Sequence, residues 1–264
     1  MHCGVWALSV QRSLTAAKMP SGAFTKFEVR ILEVKRLLSL CASEDEDYRI
    51  KMENVARDEA LLRGAHVLLC SHLEGYFEDL ISDLIDAYDH LASHVDLLPE
   101  ELRAHQVIGA SSKWELKDSD KRWQTVQEWA VHPLIHPGVE KPVGCMEAAL
   151  HIDRFSNPGS NEIEWLFKTV GITDVWSLFK AIEPDQVIFQ SVNAIVLRRN
   201  QIAHGKADAT ITLGDAQLYV QRAERIAEVF EQLVCKEINY RLTYEDCWGV
   251  LEQLRGVMMR TARH

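Results

Sequence analysis

Between Leu61 and Tyr88 the chain repeats apolar residues at three- and four-residue steps: Leu61, Ala65, Leu68, Leu69, Leu73, Tyr76, Phe77, Leu80, Ile81, Leu84, Ile85 and Tyr88. At about 100° per residue these positions keep one broad face for roughly seven turns, which predicts a long amphipathic helix. Thr25 to Ala42 repeats the pattern through Phe27, Ile31, Val34, Leu37 and Leu38. Thr212 with Asp215 three positions on reads as a capping box, opening a second long helix that is apolar at Tyr219, Ala223, Ile226, Phe230, Leu233 and Val234. Pro184 suits the first turn of a helix running through Ile188, Val192, Ile195 and Val196 to His204 and ending at Gly205. No hairpin signal appears, and Ala209 to Leu213 is at most one short extended segment. The predicted fold class is all-α.

The joins are less regular. Gly64 and Gly75 fall inside the longest stripe, which suggests close helix packing there, since each costs about 1 kcal/mol against Ala. The acidic run Ser43 to Asp47 is placed to cap the helix that follows it. Residues 93–160 read as an irregular insertion with a short helix near Pro99 to Val107, a segment carrying Trp114, Trp123 and Trp129, and a punctuated stretch from His132 to Gly144. Asn157-Pro158-Gly159-Ser160 is a turn whose Ser160 or Asn161 would cap a helix through Val170, stopped by Gly171. The expected division is a leader over 1–23 outside the core, a helical domain over 24–245, and a C-terminal tail over 246–264.

At 264 residues the chain has enough length to bury roughly 70–75% of its unfolded surface without staples. Its net charge of −10 argues against coating nucleic acid with the whole surface, so any nucleic-acid site must be local. Six cysteines at 3, 41, 70, 145, 235 and 247 form no Cys-x-x-Cys pair, which fits reduced thiols in a cytoplasm. No apolar run approaches the roughly 20 residues that span a bilayer, so no membrane partner is expected.

Phosphate-loop, dinucleotide, zincin and hydrolase-elbow signatures are absent. His90 and His94 share a helical spacing but lack a third ligand, and Pro133 and Pro137 break any helix between His132 and His136. No metal site and no cofactor are expected. What stands out is Arg198-Arg199-Asn200-Gln201-Ile202-Ala203-His204-Gly205-Lys206, an acid-free basic patch in an acidic protein. On a helix Asn200 and His204 lie one turn apart, with Arg199 about 100° round and long enough to reach the same spot. A planar guanidinium fits phosphate oxygens, and imidazole exchanges a proton near neutral pH, which together suit metal-free phosphodiester cleavage. The same residues also make an ordinary helix C-terminus, where cations complement the dipole and Gly takes the left-handed cap. With 17 Arg and 11 His in the chain, about 0.7 Arg-x-x-x-x-His matches arise by chance.

The segment RRNQIAHG from Arg198 to Gly205 resembles the signature of HEPN domains, with Arg199, Asn200 and His204 as the matching residues. Leu61 to Ile81 and Phe155 to Ile172 resemble its RiboL-PSP-HEPN and MAE-type branch, so the likeness spans roughly residues 45–240. The resemblance implies a helical bundle with two long core helices and a variable insertion, commonly a homodimer. It further implies a metal-independent endoribonuclease of toxin–antitoxin, phage-defence or RNA-processing systems, with an antitoxin as a possible partner; some relatives only bind RNA or a partner. In the catalytic reading His204 moves a proton, Arg199 holds the phosphate, Asn200 orients His204 or binds a phosphate oxygen, and Arg198 and Lys206 contact RNA. In the binding reading the same cations are simple phosphate contacts.

Overall fold

A computed structural model describes residues 19–41, 48–111, 132–136, 138–206 and 209–261. The described residues form helices α1 (Gly22–Leu38), α2 (Tyr48–Leu91), α3 (Glu100–Ser111), α4 (Ala149–Ile152), α5 (Ser160–Thr169), α6 (Val175–Ile182), α7 (Gln186–Ala203), α8 (Leu213–Leu242) and α9 (Cys247–Thr261), with short 3-10 turns at Val95–Leu97 and Pro133–Ile135. Among the described residues there is no strand, only an isolated bridge between His94 and Glu140. The all-α expectation holds. No described helix is long and apolar enough to cross a membrane.

The two long stripes pack on each other. At 44 residues, α2 is about 66 Å long and longer than its apolar run alone indicated. Tyr76 and Phe77 of α2 are fully buried against α8: the Tyr76 hydroxyl donates to the Ala227 carbonyl at 2.8 Å, and Phe77 meets Phe230 edge-on at 4.8 Å. Phe167 of α5, with Trp176 and Phe179 of α6, closes around Phe230 to complete an aromatic centre. The Thr212–Asp215 capping box at the start of α8 forms as the sequence predicts.

Several boundaries differ from the sequence expectation. Helix α1 opens at Gly22 instead of Thr25 and closes at Leu38, before Ala42. Its cap, Ser21, accepts from the Phe24 amide and donates its own amide and hydroxyl to Glu231, while the Ala23 amide donates to Asp83. Two carboxylates thus satisfy a helix N-terminus, where free N–H groups and the dipole favour negative charge. Residues 21–23 therefore belong to the core and not to a leader. Cys247–Thr261, expected as part of a tail, form helix α9. Cys247, Trp248 and Leu251 are buried, and Arg255 bonds Asp83 at 3.2 Å and Asp86 at 2.7 Å on α2.

The α5 cap is Gly159, with Ser160 as the first helical residue, and α7 begins at Gln186, capped by Asp185 through the Val187 amide, so Pro184 precedes the helix and does not lie in its first turn. Helix α6 lies outside the sequence expectation because its eight residues make only about two turns, too short a window for a repeat to register. Close helix packing does not explain Gly64, beside which space is open, but it bears on Gly75, where an added Cβ would lie 3.1 Å from the Arg30 guanidinium of α1. Gly171 is different: its φ of 87° and the Pro99 ring against it exclude any Cβ. The acidic run after Ala42 and the three tryptophans between 112 and 131 lie outside the described residues.

The described residues between 93 and 160 are tied to this core in part by polar groups. Lys141, fully buried, donates to the carboxylate and carbonyl of Asp89 at the end of α2, and Asp89 also accepts from the Gly144 and Cys145 amides. Gln106 of α3 donates to His151 of α4, which meets Thr169 of α5.

Candidate functional site

Helix α7 is seated by Val192 and Ile195, both fully buried, and by a side chain from α2. His66 is buried, and its Nε2–H donates to the Ile195 carbonyl at 3.0 Å, which fixes the tautomer. Burial holds His66 below its ordinary pKa, and the nearby Arg198 charge adds to that, against the pull of the carbonyl bond. One turn on, burial pushes the Cys70 thiol up to about 11 despite the positive charge of Arg199. Burial thus disfavours the charged form of both groups. The next residue of this row on α2 is Glu74, and it bears on the site directly.

Arg199 is half-buried, not splayed into solvent. Its Nη1 donates to the side-chain carbonyls of Asn157 and of Asn200, the latter at 3.0 Å, and its Nη2 lies 3.7 Å from the Glu74 carboxylate. Three partners from α2, α7 and the turn before α5 therefore set the orientation of the guanidinium plane. Asn157 reaches this position from a left-handed backbone, φ 54°, a region that Asn tolerates better than most residues. Its turn is held to α7 a second time: Asn193 accepts from the Ser160 amide at 2.8 Å and donates to the Ser160 hydroxyl at 2.9 Å.

Asn200 thus bonds Arg199: its Oδ1 is committed to the guanidinium, which leaves its amide N–H groups as the donors it can offer elsewhere. His204 is the C-cap of α7. Its amide donates to the Asn200 carbonyl, Gly205 at φ 66° donates to Ile202, and Lys206 donates to Gln201. This doubly bonded left-handed cap fixes where the His204 backbone stands. The imidazole is exposed, with no hydrogen bond or ion pair to another described residue. Arg198 is half-buried and Lys206 exposed. Among the described residues no three His, Cys, Asp or Glu side chains are grouped to hold a metal ion.

The structure therefore gathers Arg199 and Asn200 into one bonded unit, with His204 one turn along the helix from Asn200. It adds Glu74, Asn157 and Asn193, which the local pattern did not single out. Asn157 carried a weak signal as the first residue of an Asn-Pro-Gly turn; Glu74 carried none.

The arrangement offers a positioned planar cation, an amide donor and a solvent-facing imidazole, groups whose chemistry suits an anionic ligand. A family model described as RiboL-PSP-HEPN matches residues 29–236, a span that holds α2 through most of α8 and every residue of this site. No curated protein and no solved structure matches the chain. The chain belongs to the RiboL-PSP-HEPN family and is, in general terms, a HEPN-type nuclease or RNA-binding module.

Proposed function

We propose that this chain is a metal-independent endoribonuclease. The observation that carries the reading is the Arg199 guanidinium, held in plane by Asn157 and Asn200, with the exposed His204 ring one helical turn along from Asn200. In the reaction the RNA 2′-oxygen forms a bond to phosphorus as the bond to the 5′-oxygen breaks, leaving a cyclic phosphate and a 5′-hydroxyl. His204 moves a proton at one of these oxygens, and Arg199 spans two phosphate oxygens as their charge grows. The Asn200 amide donates to a third position, and Arg198 and Lys206 attract the flanking phosphates.

One imidazole cannot serve both oxygens of an in-line displacement. A homodimer, with a second His204 converging on the same cleft, supplies the missing proton-handling group. The exposed Val187 and Leu197 on α7 support pairing through this helix. The proposed setting is cytoplasmic, in a toxin–antitoxin, defence or RNA-processing role, with an antitoxin as a possible further partner. A second reading, a non-catalytic RNA- or partner-binding module, is favoured by the Glu74 carboxylate, which already draws on the charge of Arg199.

Incubating the purified protein with total RNA in excess EDTA, beside His204→Ala, separates the two. Cleavage that persists in EDTA and disappears in the variant supports the nuclease. Cleavage that requires an added divalent ion, or that is equal in both proteins, overturns it.

A further inference from the structure

An open cavity of about 300 Å³ lies between Arg154, Phe155, Asn161, Glu162 and Trp165. It sits at the small end of the roughly 300–1,000 Å³ range of ligand clefts, a size suited to one flat ring system. Its rim is the turn that holds Arg199. Arg154 is three residues before Asn157, at most about 11 Å of extended chain, and Asn161 directly follows Ser160, which is bonded to Asn193 of α7. A strand whose phosphate meets Arg199 therefore passes within one or two nucleotides of the cavity.

The walls are unusual for a surface. Trp165 is 37% exposed, although indole is among the side chains with most to gain from burial. It is braced: His105 meets it edge-on at 6.3 Å, and His105 in turn stacks on the buried His151 at 4.5 Å. Phe155 is buried and packs edge-on against Phe77 of the core. Arg154 is exposed and has no hydrogen bond or ion pair to another described residue. A rigid exposed indole beside an uncommitted guanidinium is the pairing that binds single-stranded nucleic acid: the ring stacks a base and the cation meets the adjacent phosphate.

We infer that this cavity is a subsite for one unpaired nucleobase of the RNA strand, stacked on Trp165, with Arg154 on the neighbouring phosphate. This rests on the reading that RNA is the substrate. Asn161 and the Glu162 carboxylate face the same space, so the subsite prefers a base whose edge presents N–H donors, because an ionised carboxylate only accepts.

The probe is a fluorescein-labelled eight-nucleotide single-stranded RNA, bound to full-length His204→Ala protein so that the strand stays intact, with each base in turn replaced by an abasic residue. With Trp165 present, loss of one particular base weakens binding roughly 5- to 150-fold, the range for a single base–aromatic stack. Trp165→Ala weakens the intact strand by a similar factor and abolishes the sensitivity at that position, while Trp165→Phe retains most of both. Arg154→Ala lowers affinity and reduces the salt slope by about one. If Trp165→Ala melts early, Trp165→Phe and Arg154→Ala carry the test. Overturning results are unchanged affinity in Arg154→Ala and Trp165→Ala, no abasic position that depends on Trp165, or no RNA binding at all. Failure of the nuclease reading looks different: wild-type protein leaves RNA intact while Trp165-dependent binding persists.

Discussion

Replacing Glu74 by glutamine removes a charge from beside Arg199 while keeping nearly the same shape. The carboxylate lies 3.7 Å from Nη2, and the two side chains are 22% and 25% exposed. Unit charges at that distance attract by about 1 kcal/mol in water and about 4 kcal/mol at an effective dielectric of 20. Partial exposure and the long contact put this pair near the lower figure. In the ion pair that energy is withheld from any phosphate Arg199 would hold, and the carboxylate also repels the phosphate. Glu74→Gln should therefore tighten RNA binding about fivefold, since 1.4 kcal/mol is tenfold. The assay is fluorescence anisotropy of a short labelled RNA at one fixed salt concentration, with Glu245→Gln, at the exposed turn before α9, as the control for net charge. In an Arg199→Ala background the gain should shrink, because the guanidinium that mediates it is gone. Affinity unchanged or lowered by Glu74→Gln would refute the reasoning, and Glu74 would then be a strut that positions Arg199.

Two further outcomes follow from the core. Trp248→Ala should cost about 3–5 kcal/mol in urea unfolding, as the indole is buried where α9 packs on α2 and α8; a loss below 1 kcal/mol would show that α9 is dispensable. His151 is held down to about 3, first by burial and then by His105; its Nδ1–H donates to the Thr169 hydroxyl, itself a donor to Leu166, while Nε2 accepts from Gln106. The unfolded state takes up the proton near 6.5 and the folded state only near 3, so between these values the unfolded chain holds more protons and stability falls as pH falls. Unfolding free energies at pH 7.5 and pH 5 should differ less in His151→Gln than in wild type, and an identical difference would show that His151 protonates without cost.

The parts of the fold legible in the sequence are those where burial imposes a period. Tyr76, Phe77 and Phe230 announce α2 and α8 because each helix keeps one face dry, and the Thr212 box marks an end by local chemistry. Helix α6 packs on α8 but has only eight residues, about two turns, too few for its stripe to stand out. The site divides in the same way. Arg199, Asn200 and His204 sit within two turns of one helix, so their spacing is readable. Asn157 and Glu74 reach Arg199 from 42 and 125 residues away, a proximity that only packing creates. Packing also decided that Asn200 turns its Oδ1 toward the guanidinium.

The most direct test of the central claim is a paired measurement of RNA cleavage rate and RNA affinity for wild type, His204→Ala, Arg199→Ala and Arg199→Lys at one salt concentration in EDTA. The account predicts that His204→Ala loses roughly 10²–10⁴ in turnover with affinity nearly intact. Arg199→Ala should lose both, and Arg199→Lys should not restore turnover, because an ammonium keeps the charge but lacks the fork that Asn157 and Asn200 hold in plane. Equal cleavage rates in wild type and His204→Ala, or effects confined to affinity and its salt dependence in all three variants, would contradict it.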